Sequence, residues 1–332
     1  MIFNKKNIDG VSEVNALVGV AYYGNNEFAG IKPHIIDETR TIISHIGKET
    51  YKRAEEYYLD EFEPELVPED KEKTQDHKLV VFVQTAIALM AIFRYNQSNI
   101  MSHEDTGRKL KMDVEHEKTP WEWMFDRDDA ALLRRAYLAI DALIDFLEEE
   151  QIKEWLESEN RVACRSLLVA SCKEFERAYP IDQSARFYYT LIPFIREAQE
   201  KTLPLAMSLE VYNNLVSKYK SNSGMSDSEK HLLALVQSYL PLRTIEIACM
   251  RLSVSVFPEG VAQRFVSGGA GSGRHGSNAA SDETRRRYAL SIGTQADTAL
   301  DDIKRYIQHI SADKLLYPIM PENNPKNNFF IL

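Results

Sequence analysis

Cysteine is scarce in this chain: Cys164, Cys172 and Cys249 are the three in 332 residues. An odd, sparse set without a CxxC pair argues against a disulfide scaffold. It suits reduced thiols packed as small hydrophobes. Positive charge is also in deficit. Lys and Arg number 40 against 50 Asp and Glu, a net charge of −10. The molecule as a whole therefore repels nucleic acid, although a local basic patch is still allowed. No apolar run reaches the ~20 residues that a bilayer span needs. The longest, Leu79–Phe93, has 15 residues and contains Gln84 and Thr85. It is expected to be a core helix of a soluble protein with no membrane contact. MIFNKKNIDG lacks a long apolar region and a small-residue cleavage site, so no signal peptide is expected. The remaining composition, 44% hydrophobic and 27% charged, is that of a globular protein large enough for two modest domains or one large one.

What is present is a repeat. Leu79–Gly107 reads LVVFVQTAIALMAIFRYNQSNIMSHEDTG, and Leu232–Gly260 reads LLALVQSYLPLRTIEIACMRLSVSVFPEG. Val83-Gln84 matches Val236-Gln237, Ser102 matches Ser255 and Gly107 matches Gly260, all at a shift of 153 residues. A shift held without a gap points to duplication. Upstream, Pro33 and Ile35 match Pro193 and Ile195 at 160, while Glu49 and Tyr51 match Glu210 and Tyr212 at 161. That places one inserted residue at the joint between two helices. Downstream, Asp141, Leu143 and Phe146 stand opposite Asp301, Ile303 and Tyr306.

Periodicity fills in the elements. Residues 1–30 are expected to form an N-terminal arm of loops, with a strand near Ile2-Phe3. A helix is expected from Ile31, with Pro33 in its first turn and isoleucines at helical spacing. Gly47 is expected to cap it before Lys48 to Leu59 resumes as a second helix. Residues 55–72 hold nine Asp or Glu and two prolines, the composition of a solvated connection. Ser226 and Glu229 form a capping-box pattern ahead of the second core helix. Gly107 and Gly260 are expected to end the buried helices, each followed by a short hairpin strand, RKLKMDV or VAQRFVS. Thr119-Pro120-Trp121-Glu122 supplies helix-start signals for a long amphipathic helix through Leu147. The expected organisation is an arm (1–30), a first helical repeat with hairpin (31–150) and linking helices (151–190). A second repeat (191–310) and a tail (311–332) follow. The fold class is mainly α: two tandem related helical halves, each with a small β-hairpin insertion.

Chemistry is harder to find. His103, Glu104, Asp105, Asp113, Glu115, His116 and Glu117 crowd one region, but in no metal-binding order such as HExxH or an EF-hand. The second copy has Val256-Phe257-Pro258 in place of His103-Glu104-Asp105. GGAGSGRHG at Gly268–Gly276 looks like a phosphate cradle, yet no lysine follows and the downstream residues are polar. Arg274, His275 and Arg285–Arg287 suit phosphate contact, though a solvated face is the commoner use. No GxSxG and no cysteine with an obvious partner histidine is visible. The expectation is no metal, no cofactor and no catalytic residue. Trp121, Trp123 and Trp155 are read as helix anchors, and Trp121 and Trp123, with Arg274 and His275, as candidate subunit contacts. Phe329, Phe330, Ile331 and Leu332, on an Asn-rich tether, want a groove in their own domain or on a neighbour.

Several segments together resemble an uncharacterised family encoded among the virion structural genes of Bacteroidetes phages and prophages. They are IKPHIIDETRTIISHIGKETY, Ile100–Lys109, the RRAYLAIDALIDFLEEE helix followed by Trp155, and SARFYYTLIPFIREAQ. Met207-Ser208 departs from the glycine expected in the second copy. The resemblance implies a structural protein of the virion, made in the bacterial host cytoplasm. It points to a head–tail connector or neck ring, with a tail terminator or tail-completion protein as the nearest alternative. The implied partners are further copies of itself, portal and tail subunits, and DNA passing through the lumen without specific binding. A nucleotide-binding enzyme built on Gly268–Gly276 is the alternative of another class.

Overall fold

The computed structural model describes the chain except residues 7, 20–26, 65–69, 100, 105–106, 111–121, 222–223, 253, 258–259, 264–280 and 320–332. The fold is mainly α. It divides into two compact units. Met1–Arg165 and Ile181–Ile192 build the first, with Ser255–Ser281 grouped to it. Ser166–Pro180, Pro193–Val254 and Asp282–Leu332 form the second. The expected boundaries at 150 and 191 therefore shift. Residues read as one linking segment belong partly to each unit, because their apolar side chains are core. Trp155 is fully buried in the first unit, and Leu167, Leu168 and Val169 are fully buried in the second.

The first unit starts with α1 (Gly10–Val18), α2 (Phe28–Ile46), α3 (Lys48–Asp60) and α4 (Lys71–Asn99). Asp9 caps α1 by accepting from the backbone N–H of Val11 and Ser12. No strand forms at Ile2-Phe3. Both side chains are buried, and Gln84 Nε2 on α4 donates to the Ile2 carbonyl at 2.6 Å. A side-chain bond from across the unit here does the work that strand pairing was expected to do. The helix expected from Ile31 starts three residues earlier, so Pro33 lies inside α2 rather than in its first turn.

α4 is the hub, packed against α1, α2, α3 and the later α5. Ile87, Leu89 and Ile92 are buried, and Phe82 is half-buried. A helix apolar all round needs neighbours on every side, and four helices supply them. α4 is also long and apolar enough to cross a membrane, as is the later α11. It ends at Asn99, not at Gly107. The strands β1 (Met101–Glu104) and β2 (Gly107–Leu110) follow, antiparallel, with Met101 opposite Leu110 and Glu104 opposite Gly107. Gly107 thus opens a strand instead of closing a helix.

α5 (Glu122–Glu149) returns along α4. Its stripe Ala136, Ile140, Leu143, Ile144 and Leu147 is buried, and Phe146 stacks on Phe82 at 4.8 Å between ring centres. Three short helices, α6 (Lys153–Leu156), α7 (Glu159–Cys164) and α8 (Cys172–Glu176), stand in the segment read as linking helices. Ser158 and Ser171 cap the second and third of these by accepting from Arg161 N and Glu174 N.

α9 (Ala185–Met207) contributes to both units, the division falling at Pro193. The second unit continues with α10 (Leu209–Lys220) and α11 (Asp227–Arg251). Ser226 and Glu229 make the expected capping box at the start of α11. Val236, Tyr239, Leu240 and Ile245 of α11 are buried, and Leu235 is half-buried. The strands β3 (Val254–Phe257) and β4 (Gly260–Gln263) pair with each other. α12 (Asp282–Ile319) lies along α11, burying Ile292, Ala296 and Ile303.

Candidate functional site

The expected site residues fall into three groups. Trp121, Arg274, His275 and Phe329–Leu332 lie outside the described residues, as do Asp113 to Glu117 and Gly268–Gly276. Trp123 stands in the first turn of α5. His103 faces Arg108 across the first hairpin. Arg285–Arg287 sit on α12, where Arg287 pairs with Glu283 at 2.5 Å. Among the described residues, no three His, Cys, Asp or Glu side chains gather as metal ligands would.

Gly47 is the expected junction with the most complete geometry. It separates α2 from α3 at φ +87°, ψ 153°, and its N–H closes α2 by donating to Ile43 O. A Cβ there would stand 3.0 Å from Ser158 Cβ. The Asn160 side chain donates to the carbonyls of Ser44 and His45, each at 2.8 Å. The residues after α5 therefore close over this joint. A cleft of about 660 Å³ remains, lined among others by Ser44, Lys48, Glu154 and Ser158. Its chemistry is structural. Glu154 pairs with Arg53 at 3.0 Å, Ser158 caps α7 and Asn160 caps α2.

Two polar groupings were missed by sequence reasoning. The first is buried. Glu13 accepts from Asn4 N at 3.0 Å, from the Tyr58 hydroxyl at 3.1 Å and from Gln84 Nε2 at 2.5 Å. Lys5 Nζ donates to the carbonyls of Tyr58 and Phe62 at 2.8 and 2.7 Å. The network ties the first residues to α1, α3 and α4. Gln84 in the most apolar run was its one visible signal, because a buried amide needs partners. Burial pushes the Glu13 carboxyl above the usual range, against the pull of its hydrogen bonds and Lys5. The folded protein thus holds this proton more tightly than the unfolded chain. Stability from Glu13 is expected to fall as pH rises from the ordinary value of 4.5 through the raised one. Urea unfolding across that window should show the wild type losing ground to Glu13→Gln. A wild type that gains on the variant as pH rises would refute the assignment.

The second grouping is a groove of about 490 Å³ between α2 and α4, lined by His34, Glu38, Arg94 and Ser98. Ser98 Oγ lies 3.1 Å from His34 Nε2, which resembles a nucleophile beside its base. However, the hydroxyl donates to its own helix at Tyr95 O, 3.0 Å away. The carboxylate one turn on, Glu38, is paired with Arg94 at 3.3 Å. A nucleophile must direct its proton to the base, and the base needs an orienting acid. Here both groups are engaged elsewhere.

No protein-family model matches the chain, and neither a curated protein nor a solved structure is similar to it.

Proposed function

We propose that this protein is a structural subunit of a phage virion, a head–tail connector or neck ring built from two related helical halves. The class comes from the sequence resemblance. What supports the two-halves reading is the placement of the hairpins. β3 and β4 stand 153 residues after β1 and β2, Met101 to Val254 and Gly107 to Gly260. In each case the preceding order is three long helices, and a long helix follows.

Finer features agree. Ser208, between α9 and α10, adopts φ +69°, ψ 151°, close to the +87°, 153° of Gly47 between α2 and α3. Leu209 opens α10 as Lys48 opens α3, 161 residues earlier. Gln237 Nε2 donates to the Leu168 carbonyl at 3.0 Å, much as Gln84 donates to that of Ile2. Buried positions are in keeping with one inserted residue. Ile35 and Ile195 are buried at the 160 shift, while Ile42 with Leu203 and Ile46 with Met207 are buried at 161. On this reading the slip falls inside α9, not at the joint.

Helices with a projecting hairpin suit a ring adaptor. Around a closed ring each subunit meets two neighbours through unlike surfaces, which two diverged halves can supply. The loops that differ most between the halves, Arg108–Trp123 and Val261–Asn278, are the proposed contacts. An acidic ring lets DNA pass without gripping it. Native mass and negative-stain imaging of the full chain, alone and with portal and tail subunits, should give a closed ring. A monomer under all these conditions would overturn the proposal.

A further inference from the structure

Each unit is led by a short segment pinned to its long apolar helix, and the pins match. In the first unit the Tyr58 hydroxyl of α3 donates to Glu13 of α1 at 3.1 Å. In the second the Tyr219 hydroxyl of α10 meets both carboxylate oxygens of Glu174 on α8, at 2.7 and 2.8 Å. Acid and phenol are both displaced by 161 residues, the shift that relates Gly47 to Ser208. Each carboxylate lies in the first turn of its short helix. Each also accepts a backbone N–H from the stretch before that helix, Asn4 at 3.0 Å and Ala170 at 2.7 Å. The same stretch gives up a carbonyl to the core glutamine, Ile2 to Gln84 and Leu168 to Gln237. α1 packs on α4, and α8 packs on α11.

The two segments also end alike. Gly19 follows α1 at φ +75°. Asp182 and Gln183 follow the second segment at φ +58° and +53°. Positive φ marks a tight turn, so each segment is set off from the helix after it. Further ties differ between the two. Lys5 bonds the carbonyls of Tyr58 and Phe62, and the Met1 ammonium pairs with Glu55. In the second unit Gln199 accepts from Leu168 N at 2.7 Å and donates to Ser166 O at 3.0 Å. A segment bounded by a turn and held by a few side-chain bonds is the kind that opens as a local unit. Opening withdraws Ile2, Phe3, Val14 and Val18 from the first core, or Leu167, Leu168, Val169 and Phe175 from the second.

We infer that Met1–Val18 and Ser166–Pro180 are one repeated element, a strap latched across its own unit by a glutamate–tyrosine pair, and that each strap opens independently of the other. The inference deepens the two-halves reading and rests on it. It does not rest on the ring.

The test is hydrogen exchange of the full chain, read by mass spectrometry, in Tyr58→Phe, Tyr219→Phe and the double variant. Each change removes a hydroxyl and keeps the ring, so helix content by circular dichroism should stay as it is. Exchange in Met1–Val18 should quicken roughly tenfold in Tyr58→Phe, with Ser166–Pro180 unchanged. Tyr219→Phe should do the reverse, and the double variant should show both. The factor is that of losing one hydrogen bond to a charged group. Gln84→Asn and Gln237→Asn, which shorten the reach to Ile2 and Leu168, probe the same two latches without touching the phenols and should give the same pattern. Exchange unmoved in either strap, raised in both straps by a single change, or raised throughout a unit would each overturn the inference. Native mass tests the ring separately: straps that open one at a time in a protein that stays monomeric would refute the ring and keep the device.

Discussion

Trp155→Ala is expected to cost about 3–5 kcal/mol of stability, the range for emptying a buried tryptophan site. The indole is fully buried and its Nε1 donates to Glu148 at 2.9 Å. Its ring meets Tyr189 edge-on at 5.6 Å. Trp155 thus joins α6 to the end of α5 and to the N-terminal part of α9, both in the first unit. Trp155→Phe keeps most of the packing and loses the charge-assisted hydrogen bond, a loss of about 1.5–3 kcal/mol. Urea unfolding of the two variants measures both effects. A cost below about 1 kcal/mol for the alanine variant would mean that α6 is a surface linker and not a piece of the core.

The second large effect runs in opposite directions at two matching joints. Gly47 has φ +87°, ψ 153°, a region that is essentially glycine's alone. Gly47→Ser adds strain of about 1–3 kcal/mol. It also presses a Cβ to 3.0 Å from Ser158 Cβ. Ser208 holds nearly the same conformation, φ +69°, ψ 151°, while carrying a side chain. Ser208→Gly should therefore stabilise the protein by about 1 kcal/mol or more. The gain is reduced by a few tenths for the lost cap, in which Oγ accepts from Val211 N at a long 3.5 Å. Thermal or urea midpoints should move down for the first change and up for the second. Two shifts of the same sign would contradict the matched geometry.

The contrast at these joints shows what a sequence can and cannot reveal. Gly47 was legible because a glycine interrupts a run of isoleucines at helical spacing, and few local arrangements explain that. Ser208 was not, since nothing in serine's chemistry announces a positive φ. The capping box at Ser226 and Glu229 was readable because both partners lie within four residues. The anchoring of Ile2 by Gln84 was not, because the partners are 82 residues apart. Two apolar residues near a terminus look the same whether they pair as a strand or sit in a pocket. The start of α4 was hidden for another reason. Lys71 to Gln75 is polar and follows an acidic run, so the pattern resembles solvated loop until its side-chain partners are known. In one of these, Gln75 reaches the Glu150 carbonyl at 3.2 Å. The candidate contacts stand out by composition alone, and most lie outside the described residues. The clefts at Gly47 and His34 involve residues that are ordinary in composition and were brought together by packing.

The path of the chain through the two units has a consequence for any attempt to dissect them. Ser166–Pro180 belongs to the second unit, yet the chain then supplies Ile181–Ile192 to the first. A cut after Arg165 would leave the first unit without Tyr188 and Leu191, both buried, and without the ring that meets Trp155. A cut after Ile192 would take Leu167, Leu168 and Phe175 from the core of the second. No single cut leaves both units with their cores. Each unit is built from separate stretches of chain that alternate along the sequence, so either one can be made whole only by joining pieces that the chain keeps apart.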